Sequence, residues 1–137
     1  MPLKLTRANQ ADMLESAMRL NFAGINAWCK DAIAFGAIKE GESDPSYIAV
    51  FQHFADSAAD VVILNLSTLP ITEDVVGAYT ELAFHPRILG LAILVATVDQ
   101  SNIQSQISYL KAGFQFEYRK RPSVTGDEGA IVMSMYP

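Results

Sequence analysis

At 137 residues, half of them hydrophobic and 18% charged, the chain has the length and composition of one folded domain with a single core, not of a disordered tail. Its formal net charge of −5 repels nucleic-acid phosphates on average, and its one dense basic cluster, Arg-Lys-Arg at 119–121, is too small to line a nucleic-acid groove. The single cysteine, Cys29, excludes an internal disulfide, no Cys/His spacing suits zinc, and no apolar run approaches the roughly 20 residues that cross a bilayer. The expectation is one cytoplasmic domain over residues 1–137, without a metal, binding neither nucleic acid nor membrane.

In chain order, "PLKLT" opens as a strand. Met13, Leu14, Ala17 and Met18 recur at helical spacing, Gly24 ends or bends that helix, and "INAWCK" allows a second short helical piece. Cys29 reads as a small apolar filler beside Trp28. "DAIAFGAIKE", "SYIAVFQHF" and "VVILNLS" follow as three strands separated by the turn-forming "GESDP" and "ADSAAD", and their closeness predicts an antiparallel meander. Then "TEDVVGAYTELAF" puts Val75, Tyr79, Leu82 and Ala83 on one helical face, with Thr72 as N-cap and acids in the first turn; His85 and Pro86 end the helix. "LAILVATV" is apolar on both faces, as a centrally covered strand would be, and strand-helix-strand predicts a right-handed parallel crossover.

The next segment, "SNIQSQISYLKAGF", carries helix grammar and something besides. Ser101 and Gln104 have capping-box spacing, Ile103, Ile107, Leu110 and Phe114 form the expected core-facing stripe, and Gly113 sits where a terminal glycine releases the chain. At about 100° per residue, Tyr109 falls off that stripe, on the side of Ser105, Ser108 and Ala112. Such a phenol either walls an extended ligand and donates a proton to a leaving group, or is a half-buried tyrosine whose hydroxyl reaches water. "FQFEYRKR" places Phe114, Phe116 and Tyr118 on one side of a strand, and "AIVMSMY" closes the sheet. The predicted order is β-α-(α)-β-β-β-α-β-α-β-β: an α/β (α+β mixed) fold, its mixed sheet mostly antiparallel, with helices on both faces.

Element order and this segment together resemble the GNAT acetyltransferase superfamily, which follows its fifth strand with an asparagine, a small residue, a tyrosine and Gly-Phe at the spacing of Asn102, Ser105, Tyr109, Gly113 and Phe114. The stretches "TEDVVGAYTELAFHP" and "VMSM" are similar to those of small phage-encoded GNAT-like proteins. The resemblance implies acetyl-CoA as cosubstrate, its pantetheine arm in a notch between the diverging strands "VVILNLS" and "LAILVATV". Backbone groups at Leu64, Asn65, Leu66 and Ser67 would pair with that arm, and Asn102, Ser105 and Tyr109 would line the other wall. Tyr109 would protonate the departing CoA thiolate as the acetyl group moves to an amine, of a small molecule or of a protein. A homo-oligomer or a virion protein stays open as the assembly, and a GNAT-shaped subunit without catalysis stays open as the alternative function.

One segment departs from the pattern. Where the family carries a basic, glycine-rich loop for the CoA pyrophosphate, this chain has "LPITEDVVGA", with no arginine and with Glu73 and Asp74 in the first helical turn. For the base that frees the acceptor amine, the candidates are His53, with Asp56 nearby, and Glu117. Each also reads as an ordinary surface residue, His53 on an edge strand and Glu117 in a pair with Arg119.

Overall fold

The computed structural model describes residues 3–20, 28–120 and 129–136. The elements are β1 (Leu3–Thr6), α1 (Gln10–Leu20), β2 (Ile33–Lys39), β3 (Tyr47–Ala55), β4 (Ala58–Asn65), α2 (Glu73–Phe84), β5 (Ile93–Asp99), α3 (Ile103–Ala112), β6 (Gln115–Lys120) and β7 (Ala130–Met135). The strands form one seven-stranded sheet in the order β1-β2-β3-β4-β5-β7-β6. Every neighbouring pair is antiparallel except β4 and β5, which the α2 crossover makes parallel. This is the expected mixed, mostly antiparallel sheet. The bend expected at Gly24, most of "INAWCK" and Arg121 lie outside the described residues.

Strand alternation sorts β3 into two cores. Tyr47, Ala49 and Phe51 join the larger one under α2 and α3, while Ile48 and Val50 join a smaller one with Met13 and Ala17 of α1. Helices therefore cover both faces. The Gln10 side chain ties α1 down by accepting from the Ala34 N–H (2.9 Å) and donating to the Ala34 carbonyl (2.6 Å). Gly36 makes room for this packing: a Cβ there would lie 2.8 Å from the Pro45 ring and 3.1 Å from the Met13 sulfur.

In α2 the expected face is buried, with Val76 and Thr80 added to Val75, Tyr79, Leu82 and Ala83. Tyr79 donates its hydroxyl to the Phe35 carbonyl (2.8 Å) and sits edge-on to Phe51. Burial holds its pKa far above that of a free phenol. Thr72 is the N-cap by backbone but makes no side-chain capping bond, and His85 closes the helix.

Three expectations fail. The stripe of Ile103, Ile107 and Leu110 faces solvent at 57%, 46% and 49% exposure, and α3 instead buries Ser105, Ser108 and Tyr109; only Phe114 of the stripe is in the core. The sheet beneath α3 needs its small residues and phenol for close approach, and nothing among the described residues covers the outer side. Second, β5 is fully covered on one face only: Leu94, Ala96 and Val98 are buried, whereas on the other face Ile93 and Val95 are half-buried and Thr97 and Asp99 are exposed. Third, Phe116 pairs with Met133 and Tyr118 with the adjacent Val132, across a register shift at Glu117. Adjacent residues of a strand point to opposite faces, so Phe116 and Tyr118 do as well, and Phe114 precedes the strand.

Candidate active site

The β4–β5 ladder starts at Ala58 opposite Ile93 and stops at Val61 opposite Ala96. Beyond it β4 continues to Asn65 and β5 to Asp99 with no pairing between them. Two parallel neighbours that part at their C-terminal ends leave a notch in the sheet, the usual place for a ligand in an open α/β sheet. The N-termini of α2 and α3 stand at the same end, since each helix follows one of the two strands.

Backbone direction in β4 decides which groups line that notch. The Leu66 N–H donates to the Ser46 carbonyl, on the β3 side (2.8 Å). Because direction alternates along a strand, Leu64 also turns toward β3, whereas Ile63 and Asn65 turn their N–H and C=O toward β5. Of the four residues expected to meet a pantetheine arm, Asn65 alone presents strand backbone to the notch. Leu64 and Leu66 face the other way, and Ser67 lies past the strand, its hydroxyl accepting from the Leu69 N–H. Ile63 was not expected. Its sequence signal is only the alternation, and alternation names two edges without saying which one is open.

Tyr109 reaches this edge from α3. It is 4% exposed, it stacks edge-on against Phe114 at 5.0 Å, and its hydroxyl faces the Ile63 N–H. Burial pushes the phenol well above its ordinary pKa, and the Ile63 N–H pulls weakly the other way by stabilising a phenolate. The group is therefore a protonated donor at neutral pH that lies beside the β4 backbone at Ile63. Ser105, also buried, lies on the same inner face.

Asn102, not Ser101, caps α3: its side-chain oxygen accepts from the Ser105 N–H at 3.1 Å. One residue of difference arises because Ser101 is held by Asp99, whose carboxylate takes both the Ser101 N–H (3.0 Å) and its hydroxyl (2.9 Å). Gln104 consequently makes no capping box. It donates to the Ile71 carbonyl (2.8 Å) and to the Ser108 hydroxyl (3.0 Å), joining the start of α3 to the loop before α2. Gly113 ends the helix in the left-handed region, φ 116°, as its position predicts.

The two candidate bases stand apart from the notch. His53 occupies an irregular stretch of β3 with φ 58° and pairs with Asp60 at 2.7 Å on the exposed hairpin. Asp56 lies in the turn of that hairpin. Ile63 pairs with Ala49, so His53 is four residues along β3 from that level, about 13 Å at strand rise. Glu117 sits at the β6 irregularity and accepts a bond from the Ser134 hydroxyl, with all of β7 between its strand and β5. Neither meets Tyr109. Among the described residues no helix is long and apolar enough to cross a membrane.

No family model matches the sequence, and no curated protein does. Solved structures do match. A chimera of spermidine N-acetyltransferase SpeG from Vibrio cholerae and hSSAT superposes with a TM-score of 0.79 at 13% identity, over 99% of this chain and 96% of that one. A dodecameric form of the Vibrio cholerae spermidine enzyme gives 0.76 at 14% identity, over 98% and 93%. A ribosomal-protein alanine N-acetyltransferase from Escherichia coli gives 0.68 at 18% identity, over 98% and 94%. The chain has the GNAT acetyltransferase fold. The finer likeness to phage-encoded proteins rests on the two quoted sequence stretches alone.

Proposed function

We propose that the protein is an N-acetyltransferase that takes its acetyl group from a pantetheine thioester of the acetyl-CoA type. The observation that carries this reading is the parting of β4 and β5 beyond Val61 and Ala96, with a buried phenol set against the β4 backbone at Ile63. The Ile63 carbonyl and the N–H and C=O of Asn65 offer an extended amide-bearing arm the acceptors and donor of a strand edge. The solved neighbours named above are N-acetyltransferases, which supports an amine as acceptor.

In this reading a neutral amine nitrogen attacks the thioester carbonyl carbon. The C–N bond forms, the C–S bond breaks with its electron pair going to sulfur, and the excess proton on nitrogen passes to water. Tyr109 gives its hydroxyl proton to the thiolate and regains one from solvent. A donor aimed at charge that develops only in the transition state lowers the barrier without tightening the ground state. The Ile63 N–H, already directed at the phenolic oxygen, stabilises the phenolate for the moment it exists. His53 and Glu117 have no part, given where they lie.

Thermal melting with pantetheine thioesters, acetyl-CoA first among them, tests the reading. A donor at a hundred times its Kd adds about 2.7 kcal/mol of stability. Tyr109→Phe should lower turnover about 100-fold, within the range for a lost general acid, while leaving donor affinity within about twofold. Unchanged turnover removes Tyr109 from the chemistry. No melting shift with any thioester favours the alternative, a structural or assembly protein with the same fold.

A further inference from the structure

The donor can be narrowed, and this step rests on the thioester reading above. We propose that the notch selects pantetheine thioesters whose far end carries no diphosphate, so that a donor ending in a neutral hydroxyl or amide is preferred to acetyl-CoA itself.

The charges at the mouth of the notch carry the argument. An arm laid along the free edge of β4 leaves the sheet where β4 ends, beside residues 66–72 and the first turn of α2. A helix N-terminus there would ordinarily attract an anion through its dipole and free N–H groups. In α2 that favourable place is taken by the chain's own Glu73 and Asp74, both exposed. No lysine or arginine occurs between Lys39 and Arg87, so β3, β4, the loop and α2 together contain no cation to offset them.

The α3 side of the mouth does not supply one. Its first turn holds no basic residue, and the Asp99 carboxylate sits just before it on Ser101. Arg119 is nearby but is held by the Gln100 amide. That contact lies on the flank of α3 that Gln106 marks by donating to the carbonyls of Asp99 and Gln100, at 3.1 and 3.0 Å. Gln104, some 200° round the helix, marks the other flank by its bond to Ile71. The guanidinium is thus engaged by the Gln100 side chain, whereas Gln104 is the α3 residue bonded to the loop before α2. Among the described residues, what remains for the far end of a donor is neutral: the Gln104 amide and the backbone of the 66–72 loop. A diphosphate would meet carboxylates instead.

The test compares S-acetylpantetheine with acetyl-CoA on the full chain by calorimetry, at low and high salt. The expected result is that S-acetylpantetheine binds at least as tightly, and that salt tightens acetyl-CoA alone by screening the repulsion. The double variant Glu73→Gln/Asp74→Asn, altered only at exposed side chains, should tighten acetyl-CoA about tenfold and leave S-acetylpantetheine unchanged. Native protein that binds acetyl-CoA tenfold or more tightly than S-acetylpantetheine overturns the donor preference and leaves the transferase reading standing. An equal response of both donors to the double variant also overturns the preference. If neither thioester binds, both readings fall together.

Discussion

α2 and α3 lie on the same face of the sheet and touch one another, yet they turn opposite chemistry inward. α2 presses Val75, Val76, Leu82 and Ala83 into the core and keeps Glu73, Asp74 and Glu81 in water. α3 does the reverse: two serines and a tyrosine go in, and two isoleucines and a leucine stay out. Hydrophobic burial accounts for the first helix. It cannot account for the second, whose inner face is narrow enough to approach the open edge of β4 and polar enough to place a phenol there. One helix holds the sheet and the other is shaped around a gap in it.

Substitutions can break this contrast. The largest effect should come from Tyr79→Ala in α2, which removes a fully buried ring and its hydrogen bond to the Phe35 carbonyl. A loss of about 3–5 kcal/mol is expected in denaturant unfolding. Alkaline titration comes next. Tyr79 and Tyr109 both have folded pKa values raised above the unfolded value by burial, so the folded state keeps protons that the unfolded state releases. Their stabilising contribution is whole below about pH 10 and declines above it, each by about 1.4 kcal/mol per pH unit, until the folded phenols themselves ionise. Tyrosinate absorbance should follow the unfolding transition; ionisation of both phenols ahead of it would contradict their burial.

Gly113→Ala should cost about 1–2 kcal/mol, since a side chain at φ 116° is strained and its Cβ would lie 3.1 Å from the Met135 methyl. The smallest effect belongs to the outer stripe of α3. Ile107→Gln should change stability by no more than about 0.5 kcal/mol. A loss of 2 kcal/mol or more there would mean that the helix face described as solvent-exposed is covered in solution.

Much of the architecture could be read in advance because it depends on local signals. Turn-rich gaps separated the meander strands, helical spacing marked Val75 through Ala83, and Gly113 announced a left-handed cap that the backbone adopts. Tyr109 was singled out by its angle on α3, and it does lie on the inner side with the two serines. Periodicity misled where it was most trusted. An apolar stripe and a small polar stripe on one helix are both periodic, and Ile103, Ile107 and Leu110 looked like core only because apolar faces usually are. A related reason applies to His53 and Glu117, which have suitable chemistry but lie away from Tyr109, because distance across a sheet is invisible along a chain.

The amino-acid sequence by itself determined the order of the elements, the parallel crossover through α2, the terminal glycine of α3 and the acidic character of the α2 first turn. Each of these depends on residues only a few positions apart. Tertiary structure alone decided where β4 and β5 separate, that Ile63 and Asn65 face the gap, that Tyr109 meets the first of them, and which side of α3 goes in. Those outcomes depend on strand register and on which surface of a helix finds a partner, and both are set by residues far apart in the chain competing for the same space.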